Sequence, residues 1–324
     1  MLNLTKTQKI CIQYGFLLLL ICMTVYLVST TLDITLIPMI MKLVNKKFIF
    51  IGFLIMVLYI ILECTIINIL IKTIQKTKVR FLAVKIAMMG FYYNLVTPFA
   101  SGSQPMQIYA LNKYDINLSK SIAIVTNKTV LFQTVVTIYS AVIIFLNIEV
   151  LKNELPSMLV LMSIGMVMNI VSLLGGMLIV LTPNTMKIIV KVIVNILYRL
   201  NIFKSLNKKI HTINKFIDEY SYSIKLFIKN KKALCLSIIL TIIQLTVFFS
   251  ISYCVYKAFN LNGLSLFEVL SLQVFLYMSV SPIPTPGNVG ANEVAFLTIF
   301  ANVFPGNIIG YSVFLYSIYV YYFL

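Results

Sequence analysis

Charge is what this chain lacks. Only 11% of its 324 residues are Asp, Glu, Lys or Arg, against roughly 25% in an ordinary soluble domain, so it cannot clothe a surface for water. Histidine occurs once, at His211, which excludes a multi-histidine metal site. The five cysteines, Cys11, Cys22, Cys64, Cys235 and Cys254, are scattered through apolar sequence with no Cys-x-x-Cys pair. They read as small buried hydrophobes rather than as a disulfide or metal framework. No nucleophile–base pair is recognisable, so no catalytic residue, metal or cofactor is expected. Strict period-two alternation is missing too, and with it the signature of a β-barrel.

Hydrophobic residues make up 60% of the chain. Seven stretches of at least 20 residues contain no Asp, Glu, Lys or Arg: 10–32, 86–112, 129–148, 155–186, 233–256, 269–292 and 294–324. About 20 apolar residues cross a bilayer as a helix, and a backbone in lipid must satisfy its own hydrogen bonds. The expected fold is therefore all-α, a polytopic integral membrane helical bundle of about six to eight membrane segments. The first apolar stretch is too long for a removable signal peptide and has no small-residue cleavage site. A single membrane domain is expected over 1–324, with a first half at 1–183, a basic linker at 184–232 and a second half at 233–324.

The net charge is +17, from 26 Lys and Arg against 9 Asp and Glu. Its placement argues against nucleic acid, because eleven of the basic residues fall between 184 and 232, in the one long polar stretch between apolar spans. The positive-inside rule puts that linker, and the N-terminus with Lys6 and Lys9, in the cytoplasm of a multi-pass cell-membrane protein. Within the linker, Ile210, Ile213, Ile217, Tyr220, Ile224 and Phe227 recur at three- and four-residue spacing, opposite Lys208, Lys209, Lys215, Asp218, Glu219, Lys225 and Lys229. This predicts an amphipathic helix fit for the membrane surface, serving either as an elbow between the halves or as a means of recruiting lipid.

The charge pattern then sets a topology. A span at about 11–30 leads outward to an interfacial segment at 31–47, and a second at about 48–71 returns. The stretch 81–112 is too long for one span and holds Thr97-Pro98-Phe99-Ala100-Ser101-Gly102-Ser103-Gln104-Pro105 near its middle. Prolines and glycine stop a helix there, so a re-entrant hairpin from the cytoplasm is expected. Spans at about 121–147 and 156–182 lead to the linker, and 233–257 crosses outward. The stretch 265–304 is broken again by Ser281-Pro282-Ile283-Pro284-Thr285-Pro286-Gly287-Asn288-Val289-Gly290-Ala291-Asn292-Glu293, as a hairpin entering from outside. A last span at 307–324 follows, with no basic flank, as a truncated end would have.

The two breaks echo each other: Thr-Pro, three residues, Gly, one residue, then an amide (Gln104 or Asn292). Two such elements in opposite orientation are the trace of an inverted repeat with a substrate site near the midplane. Helix N-termini carry partial positive charge and free N–H groups that hold anions. The candidate substrate-binding residues are accordingly Thr97, Pro98, Ser101, Gly102 and Gln104 at the first break, and Thr285, Pro286, Gly287, Asn288, Gly290, Asn292 and Glu293 at the second. They are neutral donors and acceptors, flexible backbone and one acid, as a polar lipid head would need. An acid within a span costs roughly 2.5–3.5 kcal/mol on insertion scales, so Glu293 either meets a cationic headgroup or caps and braces its own helix. Glu63 and Lys128, both inside spans, are open to an ion pair or to a proton-coupled role for Glu63. Lys85 and Lys257 lie near span ends and are expected to snorkel.

These residues resemble the flippase-like transmembrane domain of the lysylphosphatidylglycerol synthases, the multiple peptide resistance factor family. That family carries an early Thr-Pro-Gly-Gly-x-Gly-Gly-Glu-Pro type motif and a late Pro-Thr-Pro-Gly-Gly-x-Gly-x-x-Glu motif. The late one is matched by Pro284-Thr285-Pro286-Gly287-Asn288-Val289-Gly290-Ala291-Asn292-Glu293. Of the early one, Thr97, Pro98, Gly102 and Pro105 remain, while Gln104 replaces the acid and Gln107 falls where Arg is common. The resemblance implies a lipid translocase for lysyl-phosphatidylglycerol or a related polar lipid, contributing to resistance against cationic antimicrobial peptides. It also implies an alternative, a phosphatidylglycerol lysyltransferase using lysyl-tRNA or an accessory subunit of such a synthase, although no residues here are expected to perform aminoacyl transfer. The implied partners are anionic or aminoacylated phosphatidylglycerol and a separate lipid synthase, with lysyl-tRNA met only through that synthase; an oligomer is left open.

Overall fold

The computed structural model describes residues 42, 44–77, 79–98, 101–149, 151, 155–182 and 206–323. The predicted first span at 11–30, most of the interfacial segment after it, and the basic residues from Lys187 to Lys204 lie outside the described residues. Eleven α-helices are described: α1 (Lys46–Ile74), α2 (Leu82–Val96), α3 (Ser103–Lys113), α4 (Leu118–Leu146), α5 (Pro156–Leu181), α6 (Leu206–Lys229), α7 (Lys231–Phe249), α8 (Ile251–Ala258), α9 (Leu266–Val280), α10 (Ala291–Ile299) and α11 (Ile309–Ser317). A π-helical turn, Ile318–Tyr322, continues α11.

Among the described residues, four helical stretches are long and apolar enough to cross a membrane: Lys46–Ile74, Leu118–Leu146, Met158–Val180 and Lys231–Ala258, the last made of α7 and α8 in succession. Three shorter apolar helices accompany them, Leu82–Val96, Leu266–Val280 and Ile309–Tyr321. The chain is thus an all-α polytopic membrane bundle. Its outer surface fits that reading: along α5, Val160, Ile164, Val167, Val171, Leu174 and Leu178 form an exposed apolar stripe at helical spacing, as a helix facing lipid carries.

Both long uncharged stretches fold as broken hairpins. The helix α2 stops at Thr97 and the chain turns back as α3, packed against α2. Likewise α9 stops at Ser281 and returns as α10. The direction of α4 shows that the hairpins enter from opposite ends. The first is joined to the start of α4, where Ser121 Oγ donates to the Ile116 carbonyl at 3.1 Å. The second begins at the far end, where Asn147, just past α4, donates to Ser271 Oγ of α9 at 3.2 Å. Between them α1 and α7 run side by side, and α5 crosses α9 so closely that a Cβ on Gly165 would overlap the Met278 carbonyl.

The amphipathic helix forms as expected, but its apolar face is not spread on a lipid surface. Ile217, Tyr220, Ile224 and Phe227 are buried in the cluster that also holds Ile66, Leu70, Ile86 and Ile124. Ser119 Oγ donates to Glu219 Oε2 at 2.7 Å and ties the helix to the start of α4. The hydrophobic effect is satisfied against the bundle itself, which makes α6 the elbow; Lys215, Lys225 and Lys229 remain exposed on its other face. The side chains of Ile210, His211 and Ile213 lie outside the described residues.

Glu63 of α1 and Lys128 of α4 form an ion pair inside the bundle. Gln244 of α7 donates to the second carboxylate oxygen at 3.0 Å, so three membrane helices meet at one carboxylate. Removing one member of a buried pair strands the other charge at a cost of about 3–5 kcal/mol, whereas replacing both with apolar groups is close to neutral. Glu63→Leu should therefore lower the thermal unfolding midpoint of the detergent-solubilised protein sharply, and Glu63→Leu with Lys128→Leu should restore most of it. Equal loss in the single and double variants would contradict the pairing.

Candidate functional site

The tips of the two hairpins touch. Pro98 and Pro286, the prolines of the two Thr-Pro pairs, are joined as an isolated antiparallel bridge. Gly287 follows with φ of 57°, and a Cβ there would lie 2.9 Å from the Leu95 carbonyl oxygen at the end of α2. Only glycine combines that left-handed backbone with such proximity at low cost. The meeting of the breaks is thus built into the residue type at 287.

In each break, nearby side chains take up backbone groups that the broken helix leaves open. At the first, Thr97 Oγ1 donates to the Tyr93 carbonyl at 2.6 Å and accepts from Gly102 N–H at 2.9 Å. Ser101 turns back on the Pro98 carbonyl through its hydroxyl at 2.9 Å. At the second, Gly290, with φ of 81°, precedes α10 and donates its N–H to Glu293 Oε2 at 2.7 Å. Ser317 Oγ donates to Glu293 Oε1 at 3.0 Å. Of the two readings of Glu293, the geometry gives the helix cap: the carboxylate is buried, and it occupies the positive end of α10 that a lipid phosphate would otherwise use.

Between the α2 end and the second break lies a cavity of about 140 Å³. The second break contributes Gly287, Asn288 and Asn292 to its wall, and α2 contributes Phe91, Asn94 and Leu95. Tyr59 of α1, Phe248 of α7, Gln273, Leu276 and Tyr277 of α9, Tyr316 and Val320 complete it. No lining residue carries a formal charge. Its polar groups are mostly fixed: Asn292 Nδ2 donates to Tyr321 Oη at 2.7 Å, Tyr321 donates to the Asn288 carbonyl at 3.2 Å, and Gln273 Nε2 donates to Tyr316 Oη at 2.7 Å. Asn94 Oδ1 is buried without a hydrogen-bond partner.

The predicted residues therefore divide. Gly287, Asn288 and Asn292 line the cavity; Pro98 and Pro286 make the contact beside it. Thr97, Ser101, Gly102, Gly290 and Glu293 shape the breaks without lining it. Thr285 lies in the second break with Oγ1 buried and unpartnered. Gln104, the counterpart of Asn292 in the echo, sits half-buried on α3 away from the cavity. Tyr59, Asn94, Gln273, Tyr277 and Tyr316 escaped the sequence reading; the available signal for Asn94 and Gln273 was a lone amide in an uncharged helix. Among the described residues no three of His, Cys, Asp and Glu cluster to hold a metal.

The family description "Lysylphosphatidylglycerol synthase TM region" matches residues 12–324. No curated protein and no solved structure matches the chain.

Cap and headgroup roles for Glu293 are separable. As a cap, Glu293→Leu orphans two buried donors and should cost about 2 kcal/mol, with Glu293→Gln losing less than half of that. Thermal midpoints in detergent measure both. Unchanged stability in the two variants, together with lost lipid transport in both, would assign the acid to the headgroup instead.

Proposed function

The chain belongs to the lysylphosphatidylglycerol synthase transmembrane family, and from that premise we propose that it carries a polar phospholipid headgroup between leaflets. The observation that supports this reading most is the contact of Pro98 with Pro286: hairpins entering from opposite ends meet at one point, beside a cavity walled by neutral hydrogen-bonding groups. Separating the tips on one side and then the other would open that cavity alternately to each leaflet, as inverted repeats do.

The cavity's volume bears on its state. About 140 Å³ is close to the roughly 150 Å³ of an engineered cavity that holds one benzene, too little for a whole aminoacylated headgroup. On this reading, passage of a headgroup requires the Leu95–Gly287 contact to part. A neutral lining suits that task. Amides and phenols can hydrogen-bond a phosphate or an ammonium without holding either by full charge, so the lipid can leave again. Lysyl-phosphatidylglycerol fits as the cargo, because its arrival outside would make the outer leaflet less negative and weaken the attraction of cationic peptides. The positive-inside rule puts the α6–α7 elbow, with Lys225, Lys229, Lys231 and Lys232, on the cytoplasmic side of the cell membrane.

Vesicles containing the purified protein and lysyl-phosphatidylglycerol should show amine labelling in the opposite leaflet well above empty vesicles. Asn94→Leu, which removes the unpartnered acceptor at similar size, should slow labelling about tenfold, the effect of about one lost hydrogen bond to a charged group, with unchanged protein yield. Labelling no faster than in empty vesicles would defeat the proposal. New lipid formed from labelled lysyl-tRNA and phosphatidylglycerol would support the lysyltransferase alternative.

A further inference from the structure

A second, larger cavity lies apart from the hairpin tips. It measures about 580 Å³ and runs between α4 and α7, with the end of α6 at its mouth. Along α4 it extends from Asn127 to Ile143, about 24 Å at the helical rise, so it spans more than one leaflet of a core about 30 Å thick. Its wall is mostly apolar, and the hydroxyls of Thr134 and Tyr139 along it are taken up by the Val130 carbonyl and Thr246; one end differs. There, Asn127 is 4% exposed, and its Nδ2 has no hydrogen-bond partner.

The ends of the groove differ. Tyr139 and Thr246 share a hydrogen bond of 3.3 Å that ties α4 to α7 along the trough. Near the start of both helices, Phe227 and Ala233 are buried in one cluster with Ile124 and Leu131, the residues that flank Asn127 along α4. At that end, Phe227, Ile228 and Leu234 line the mouth, and the chain between Ile228 and Leu234 includes Lys229, Lys231 and Lys232, all exposed. From the mouth inward the order is cations, then one unmet N–H donor, then a long apolar trough. A phospholipid presents the complementary order of anionic phosphate, ester carbonyl and acyl chain.

We infer that this groove is a seat for an anionic phospholipid, with its phosphate at Lys229, Lys231 and Lys232, an ester carbonyl on Asn127 Nδ2, and one acyl chain along Leu131, Ile138 and Val142. The charge pattern favours this occupant, because its anionic phosphate complements the exposed Lys229, Lys231 and Lys232 at the mouth. The seat stands independently of the transport reading, since none of its residues lines the cavity between the hairpins.

The chain contains no tryptophan, so a single introduced one reports its own position. Ile238→Trp and Val142→Trp place it in the groove in two separate proteins, and Val171→Trp places it on the exposed stripe of α5. Each full-length variant is reconstituted in phosphatidylcholine vesicles with a minor fraction of brominated phosphatidylglycerol or brominated phosphatidylcholine. Both groove reporters should be quenched about fivefold more effectively by the brominated phosphatidylglycerol, and Val171→Trp equally by the two. Added salt, or Lys229→Gln, Lys231→Gln and Lys232→Gln together, should abolish the preference; the salt arm carries the test if the triple variant fails to fold. Equal quenching by both lipids in the groove would overturn the inference. So would the absence of quenching there while Val171→Trp is quenched, which would mean that protein fills the trough.

Discussion

The interaction on which this architecture depends is the backbone hydrogen bond at the point where a helix breaks in hydrocarbon. An unsatisfied N–H or C=O there costs several kcal/mol, and no water replaces the lost partner. Both breaks meet the constraint by reducing demand and by supplying partners locally. Pro98 and Pro105 at the first break, and Pro282, Pro284 and Pro286 at the second, have no N–H to satisfy. Several of the remaining donors find partners close by: Gly102 on Thr97, Ser101 on Pro98, Asn288 on Thr285, Val289 on Pro286 and Gly290 on Glu293. Proline is thus both the cause of the break and the reason the break is tolerable.

Once the backbone is satisfied within each tip, the tips are free to meet each other through few bonds. The contact rests on one bridge and on the proximity that Gly287 permits to Leu95. Elsewhere the bundle is locked more firmly. Asn169 of α5 donates to Ser281 Oγ at 3.0 Å and accepts from Gln133 of α4 at 2.7 Å, and Glu63 joins α1, α4 and α7. The second break is thus tied to α5 through Ser281 and to α11 and its π-helical turn through Asn288, Asn292 and Glu293, whereas its link to the first break is a single bridge. The joint with the fewest bonds is where opening is energetically cheapest.

How much of this was legible follows from what each residue type signals. The breaks were readable because Thr-Pro and nearby glycine act locally, whatever surrounds them. Their opposite entry followed from charge counting and agrees with the contacts of α4. The cavity wall was not readable. A single amide in an apolar helix, such as Asn94 or Gln273, does not say which face it occupies until neighbouring helices are placed. Glu293 sat between two meanings, because a carboxylate three residues after a helix-starting glycine is equally the mark of a cap and of a site. The echo misled at Gln104: α3 leads away from the tip contact, whereas Tyr321 holds Asn292 at the cavity. The apolar face of α6 was identified residue by residue, but periodicity alone does not distinguish lipid from protein as the surface that covers it.

The placement of charge completes the physical picture. The ion pair Glu63–Lys128 lies one helical turn from the cavity along α1, since Tyr59 lines the wall, and one turn along α7, since Gln244 precedes Phe248 by four residues. Paired, it contributes little net potential to the space above it. Glu293 is likewise spent on the end of α10. The space between the hairpins is thus left without a fixed net charge, although the chain as a whole carries +17. A site with strong net charge would hold one kind of headgroup too tightly to release it and would exclude the opposite kind. A neutral polar site binds weakly through hydrogen bonds, and the chain's densest positive charge, 11 of its 26 basic residues, falls instead in the polar linker and elbow at 184–232.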